Sequence, residues 1–247
     1  MKILRYIFSA IAIIAISILP SVQLVDDEHI EVMEAYRAVL QNEKKFYSIN
    51  SSYLSPDIED FYYLQDFGDY IDSEYFQVTK FTILDMDGND APVIVLETLP
   101  LGNILILRYY NNIVYAYSFP FRGIKQIKKD GTFNWSSGAA DNGYDKLQFL
   151  NSTYESKRLA YSESRYDSER NLYALFYINN EEVTEDRFFA FVQEQEQKED
   201  ADWHEFNADT IADDFAAVWD KLPSCKHQEQ FGSWLGEYSF DEYAGGA

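Results

Sequence analysis

Cysteine is nearly absent from this chain of 247 residues, and Cys225 is its single occurrence. One cysteine excludes an internal disulfide, so the stability of the folded chain must come from its packed core. His227 lies two positions away, but a metal centre needs more ligands than this pair, and none cluster there. We therefore expect an idle thiol at Cys225.

Histidine is also rare, and the sequence motifs of common enzymes are missing. His29, His204 and His227 are isolated from one another in the sequence. No H-E-x-x-H, G-x-S-x-G or glycine-lysine phosphate motif occurs. These absences favour a non-catalytic protein and leave no catalytic or cofactor-binding residue to name. A carboxylate-dependent hydrolase stays open as an alternative, since 42 acidic residues prevent the choice of one pair by spacing.

Positive charge is scarce, with 20 Lys and Arg against 42 Asp and Glu and a formal net charge of −22. Such a surface repels nucleic acid and anionic lipid, and it attracts cations and basic partners. We therefore expect no nucleic-acid partner. The partner expected instead is a protein or a small molecule whose identity the composition does not give.

The N-terminus carries the pattern of an export signal. Lys2 and Arg5 precede an apolar run over residues 7–19, and Pro20 ends that run. The run is short for a membrane-spanning helix and typical of a secretory signal peptide. Residues 1–25 are thus predicted to be a signal peptide or an uncleaved N-terminal anchor, which would be the one membrane contact. Either places the protein outside the cell, secreted or on the outer face of the membrane.

Aromatic residues are abundant (17%) and favour β-structure. The sequence predicts an α+β fold over residues 26–222, in which an antiparallel β-meander of about nine strands forms a curled sheet or partial barrel. One helix is predicted before the meander, from residue 26 or 27 to about 46, and two after it, from Thr184 and from residue 209 or 210. The predicted strands are residues 78–84, 92–98, 103–109, 113–119, 123–129, 131–136, 146–150, 156–164 and 171–178. Residues 223–247 are predicted to be a tail, either the truncated start of another β-domain or a strand that folds back onto the sheet.

An acidic turn between the first two predicted strands is the most specific chemical signal. Oxygen-bearing side chains are concentrated at Asp85, Asp87, Asn89 and Asp90, and the carbonyl of Ala91 follows them. Hard cations such as calcium prefer ligands of this kind. Asp90 and Leu96 stand where an EF-hand needs glycine and a bidentate glutamate, so an EF-hand is excluded. A weak calcium site and a metal-free turn both remain open.

A second polar concentration spans residues 136–144. Two glycines and several small residues there would let a partner approach the backbone closely. The candidate ligand residues are Arg122, Ser136, Ser137, Asp141, Asn142 and Tyr144. An ordinary connecting loop is the alternative interpretation.

Several stretches resemble known proteins. The run TKFTILDMDGNDAPVIVLE is similar to the D-x-D-G calcium loop of many exported bacterial proteins. The runs FRGIKQIKKDGTF, SSGAADNGYDKL and YINNEEVTEDRFFAFVQEQ resemble an uncharacterised, clostridial-type family of exported Firmicutes proteins, over residues 30–222. The tail WLGEYSFDEYA resembles the start of a β-rich, lipocalin-like domain. The resemblance implies export and no assigned activity.

Three functions are compatible with these observations. The first is an exported, non-catalytic binding protein on the cell surface or secreted, with a weak structural calcium site. The second is the carboxylate-dependent hydrolase, which would need a deep pocket with convergent polar groups. The third is a calcium-assisted carbohydrate-binding module, which would show exposed aromatic side chains in a row beside the acidic loop.

Overall fold

The computed structural model describes residues 27–49, 60–70, 76–89, 91–138 and 140–207. The chain divides into two compact units, residues 1–34 and 35–247, and the contacts reported below lie within the second. Three helices are described, α1 (Asp27–Leu40), α2 (Phe67–Tyr70) and α3 (Glu185–Glu196), with a 3₁₀ turn at Leu64–Asp66. The described strands are β1 (Phe46–Ile49), β2 (Phe61–Tyr62), β3 (Gln77–Leu84), β4 (Val93–Leu99), β5 (Asn103–Tyr110), β6 (Ile113–Phe119), β7 (Thr132–Ser136), β8 (Asn142–Leu150), β9 (Thr153–Tyr166), β10 (Leu172–Ile178), β11 (Glu181–Val183) and β12 (His204–Glu205).

The larger sheet, called sheet A here, has seven strands in the order β12-β3-β4-β5-β6-β1-β2. Its strands β3 to β6 follow one another as antiparallel neighbours, and β1 pairs with β6 in parallel. The central strands are almost continuously apolar because both faces of the sheet are covered.

One face of sheet A forms the main core with the smaller sheet. Val95, Ile106 and Tyr117 lie side by side on adjacent strands and pack with Phe133 and Leu147 of the second sheet. The opposite face is also buried, and the end of α1 from residue 35 onward lies against it. The Tyr36 hydroxyl on α1 donates to the Pro92 carbonyl at 3.1 Å and accepts from the Tyr109 N–H at 2.8 Å.

The smaller sheet, called sheet B here, has five antiparallel strands in the order β11-β10-β9-β8-β7. Its inner face supplies Phe133, Leu147 and Phe149 to the core. Its outer face carries α3, which Thr184 caps by accepting a hydrogen bond from the Arg187 N–H. Phe188 of α3 is buried, with its ring centroid 5.0 Å from that of Phe176 on β10.

The prediction of an α+β fold is confirmed, as is the helix that begins after Thr184. The strands are divided between two sheets, because the chain leaves sheet A after β6 and starts a second layer at β7. Residues 123–129, predicted as a strand, form turns with two isolated bridges, Lys125 to Asn134 and Lys128 to Asp200. Strand β8 begins at Asn142, four residues before its predicted start.

Helix α1 ends at Leu40 rather than near residue 46, because Phe46 begins β1 and pairs with Tyr62. Three predictions lie outside the described residues: the N-terminal signal or anchor of residues 1–25, the last helix and the tail of residues 223–247. Within the described ranges, no helix is both long and apolar enough to span a membrane.

Candidate functional site

An open cavity of about 470 Å³ lies between the outer face of sheet B and α3. Its volume falls within the range of roughly 300–1,000 Å³ that small-molecule sites occupy. Apolar side chains form one wall and polar side chains the other, as is common in ligand pockets. The lining residues are Lys125, Asn134, Trp135, Ser136, Ala140, Asn142, Gly143, Tyr144, Ser162, Ala174, Phe176, Phe188, Phe189 and Val192.

Strand register explains why Asn134, Tyr144, Ser162 and Phe176 share a face. Asn134 pairs with Tyr144, Tyr144 with Ala160, and Ser162 with Phe176. Residues that pair across neighbouring strands point to the same side of a sheet. The polar ends of β7 and β8 therefore lie on the same side as the aromatic residues of α3.

The cavity brings together half of the predicted ligand loop. Ser136, Asn142 and Tyr144 line it, although Asn142 and Tyr144 belong to β8 rather than to a loop. The other three predicted residues, Arg122, Ser137 and Asp141, are not among the lining residues.

Those three residues have structural contacts instead. The Arg122 guanidinium donates to the Ser136 hydroxyl at 2.8 Å, and the Ser137 N–H donates to the Asp141 carbonyl at 2.9 Å. The Asp141 carboxylate accepts from the Ser164 N–H at 2.6 Å. They shape the turn that carries Ser136 and Asn142.

The apolar wall was missed by sequence reasoning. Within the helix predicted to begin at Thr184, Phe188 and Phe189 were not named as site residues, yet Phe189 is 53% exposed at the cavity rim. A stripe with one exposed aromatic residue is a weak signal, because single exposed apolar residues are normal on protein surfaces. Only the placement of α3 over β10 makes these residues part of a site.

The electrostatics of the cavity depend on Lys125 and Tyr144. Lys125 lies at the rim, and no ion pair is seen for it in the described part of the chain. Burial raises the pKa of the Tyr144 hydroxyl, whereas a hydrogen bond with Asn134 lowers it. Tyr144 is therefore a neutral hydroxyl near neutral pH, and Lys125 supplies the positive charge at the rim.

The other face of sheet B carries aromatic side chains in a row. Trp135, Gly143, Tyr161 and Tyr177 lie in register across β7, β8, β9 and β10. A Cβ on Gly143 would stand 2.7 Å from Cζ2 of Trp135, so glycine lets the indole lie over β8.

Within this row two of the rings contact each other, and a cation lies over two of them. The rings of Tyr161 and Tyr177 are 4.7 Å apart and nearly parallel. The Arg158 guanidinium lies over two rings, 4.9 Å from the centre of Tyr161 and 5.1 Å from that of Trp135.

Asp145 fixes the position of Trp135 in this row, a role that the sequence analysis did not predict. Its two carboxylate oxygens accept from the Trp135 indole N–H at 2.7 Å and the Ser156 hydroxyl at 2.6 Å. Burial raises the pKa of Asp145, while these two donors and the nearby Arg158 lower it. This carboxylate orients Trp135.

The acidic turn after β3 is held together by its own hydrogen bonds. The Asp85 carboxylate accepts from the Gly88 N–H at 2.8 Å and from the Asn89 N–H at 3.3 Å. The Asn89 side chain donates to Asp87 at 2.9 Å and accepts from the Ala91 N–H at 3.0 Å. Asp90, the fifth predicted metal ligand, lies outside the described residues.

Asp87 joins this turn to sheet B. Its carboxylate accepts from the Phe149 N–H at 3.1 Å, and its second oxygen is buried with no hydrogen-bond partner in the described residues. Burial raises the pKa of Asp87, and the neighbouring Asp85 raises it further. Gly131, at φ +80°, lets β7 approach Met86 in the same turn. Among the described residues, no three acidic, histidine or cysteine side chains form a metal-binding group.

Comparisons of this chain with protein-family models, with curated proteins and with solved structures find no match. The resemblance to exported Firmicutes proteins therefore stays a prediction. The function has to be argued from the cavity and its surroundings.

Proposed function

We propose that this is an exported, non-catalytic binding protein, secreted or on the cell surface, whose ligand occupies the cavity between sheet B and α3. The observation that carries the proposal is the convergence of two separate elements on one space. Ser136 and Asn142 supply polar groups from one side, and Phe188, Phe189 and Val192 supply apolar contacts from the other. Such a combination orients a ligand by its polar end while its body is desolvated.

The chemistry of the walls suggests a small amphipathic anion as the ligand. An aromatic or branched aliphatic body fits the phenylalanine wall, and a carboxylate or sulfonate fits Lys125 at the rim. In a protein with a net charge of −22, one lysine at a cavity rim is a local attraction for an anion.

The support for export, which is part of this proposal, comes from the sequence alone. The basic and apolar N-terminal pattern precedes an acidic chain without internal disulfides, and the charge argues against nucleic acid as a partner. A binding protein outside the cell that meets a soluble ligand is consistent with these features.

The test is titration with an anilinonaphthalene sulfonate, an amphipathic aromatic anion, followed by its fluorescence. Saturable one-to-one binding is expected. Val192→Trp, which fills the cavity, should weaken binding by at least about tenfold, or roughly 1.4 kcal/mol. Gln193→Trp places the same side chain on the exposed side of α3 and should stay within about twofold of the natural protein.

A charge variant separates the polar end of the site from the apolar wall. Lys125→Gln should weaken binding by about threefold at low salt, because an exposed ion pair contributes roughly 0.2–1 kcal/mol. Lys44→Gln removes the same charge from an exposed turn after α1 and should have no effect.

Equal effects of Val192→Trp and Gln193→Trp on the affinity for the naphthalene sulfonate would show that this probe binds outside the cavity.

We also retain calcium as a proposed structural cofactor at Asp85 and Asp87. The buried, unpartnered oxygen of Asp87 and the effect of Asp85 on its pKa support this, because a cation there would satisfy both groups. The hydrogen bonds inside the turn compete for the same oxygens, so the affinity expected is weak, about 10⁻⁴–10⁻³ M.

A further inference from the structure

Strands β9 and β10 extend beyond the rest of sheet B as a two-stranded ribbon. They pair along the whole of β10, from Leu172 opposite Tyr166 to Ile178 opposite Ala160. Strand β8 pairs with β9 only as far as Tyr161, and β11 pairs with β10 only at residues 176–178. A two-stranded ribbon by itself is only marginally stable in water, so contacts along its edges would stabilise it.

The β9 edge of the ribbon is blocked by the turn before β8. The Ser164 N–H donates to the Asp141 carboxylate at 2.6 Å. The Ser162 hydroxyl donates to the Ala140 carbonyl at 2.6 Å and accepts from the Asn142 N–H at 3.4 Å. These side-chain bonds occupy backbone positions that another strand would need, which is one way in which proteins protect an edge.

The β10 edge has no such protection in the described residues. No strand pairs with residues 172–175 on that side, and no described side chain bonds to their backbone there. The side chains at this end are apolar and exposed, with Leu172 at 58%, Tyr173 at 46% and Tyr166 at 71%. An exposed apolar strand edge is a template for the addition of another strand.

Acidic side chains lie near both ends of this open edge. The hairpin turn supplies acids at one end, and β11 with the first turn of α3 supplies them at the other. The exposed acids are Asp167, Glu169, Glu181, Glu182, Glu185 and Asp186. Arg165 is paired with Glu163 at 2.6 Å, which leaves Arg170 as the cation of the turn. Arg187 is the cation in the first turn of α3, so the six acids still exceed the nearby cations. A second copy of this chain, with its own −22 charge, would be repelled, whereas a basic segment would be attracted.

We propose that residues 172–175 of β10 bind an extended peptide rich in Lys or Arg by strand addition. The peptide backbone would pair with the open edge, its apolar side chains would cover Leu172 and Tyr173, and its basic side chains would meet the acids at each end. The edge shares Ala174 with the lining of the cavity, but Leu172 and Tyr173, which the peptide would cover, do not line it. The inference does not depend on the proposed function.

The probe is a blocked nine-residue peptide in which lysine alternates with valine or threonine, tested by fluorescence anisotropy. Two further peptides carry N-methyl groups on alternate residues, one set for each edge of the peptide strand. N-methylation removes N–H donors without changing charge, so one methylated peptide should lose at least about tenfold in affinity while the other binds as before. Equal binding of both methylated peptides would show attraction by charge alone and would overturn the proposal.

Amide hydrogen exchange locates the contact. In the protein alone, amides of residues 172–175 that point to the open edge should exchange rapidly, and the unmethylated peptide should slow them. Slow exchange before peptide is added would mean that the edge is already covered, and this would also overturn the proposal.

A pair of variants completes the test. Leu172→Lys puts a cation on the exposed edge and should weaken peptide binding by about tenfold. Leu101→Lys makes the same change at a residue that is 63% exposed in the turn after β4 and should leave binding unchanged. Binding of the naphthalene sulfonate probe should be the same in both variants, which keeps this result distinct from the cavity test.

Discussion

Sheets A and B cover their residues to different extents. In β4 and β5 of sheet A, most residues are buried, because the core lies on one side and the end of α1 on the other. In β9 and β10 of sheet B, most residues are half-buried or exposed, because α3 covers only part of the outer face. The outer face of sheet B holds the cavity where α3 lies against it, and part of one edge of β10 is open. The comparison teaches that sheet A carries stability and that sheet B has surface left for binding.

The largest expected effect tests the stability side of this comparison. Ile106 on β5 is fully buried in the core between the sheets, so Ile106→Ala should lower the free energy of unfolding by about 2–5 kcal/mol. Phe189→Ala removes a larger side chain from the cavity rim and should cost only about 0.5 kcal/mol, because that side chain is mostly exposed. Urea unfolding measures both. Similar losses for the two variants would contradict the division between the sheets.

A smaller effect is expected where α1 meets sheet A. Tyr36→Phe leaves the Tyr109 N–H without its acceptor and the Pro92 carbonyl without its donor, in a buried setting. The expected cost is about 1–3 kcal/mol by urea unfolding. Tyr109→Phe is the control, since it removes an exposed hydroxyl that bonds to Asn112 at 2.9 Å. If both substitutions cost the same, the hydrogen bonds of Tyr36 do not hold α1 on the sheet.

Calcium provides a test of the turn that joins the two sheets. A concentration ten times the dissociation constant should stabilise the protein by about 1.4 kcal/mol, seen as a rise in melting temperature relative to chelator. Asp85→Asn should abolish the rise without breaking the bond from Asp87 to the Phe149 N–H. Asp167→Asn, in the hairpin turn of sheet B, should leave the rise intact. An unchanged melting temperature up to 10 mM calcium, or about ten times the weakest affinity expected, would remove the cation from the proposal.

The smallest effect concerns pH and the row of aromatic residues on sheet B. Burial raises the pKa of Asp145 in the folded protein, although Ser156, Trp135 and Arg158 oppose this. The folded state thus holds this proton more tightly than the unfolded chain, whose aspartates titrate near about 3.9. The contribution of Asp145 to stability is present below that pH and declines as the pH rises through the folded pKa.

Asp145→Asn should remove this decline. The free energy of unfolding of the natural protein, measured by urea at several pH values from about 3.5 upward, should therefore fall relative to that of Asp145→Asn across that window. Parallel curves would show that Asp145 has the same pKa in the folded and the unfolded state, which would contradict the effect expected from its burial.

Much of the fold was predictable from local pattern. The apolar runs of β3 to β6, the Asn111-Asn112 turn and the Thr184 cap are signals that short segments carry by themselves. The candidate site was predictable only in part. Ser136, Asn142 and Tyr144 were named because the glycines and small residues around them would let a partner approach, whereas Phe176 and Phe189 became part of the site through packing.

The sequence by itself determined the acidic charge, the absence of an internal disulfide, the predicted export signal and the α+β class, because these depend on composition and on local periodicity. The tertiary structure alone decided that the strands form two sheets, that α3 covers part of one of them and that one edge of β10 is left open. It also decided that the carboxylate of Asp87 reaches the backbone of β8, that Tyr161 stacks on Tyr177 and that Arg158 lies over Tyr161 and Trp135. The physical reason is that contacts between residues far apart in the chain depend on strand register and layer packing, which no local pattern encodes.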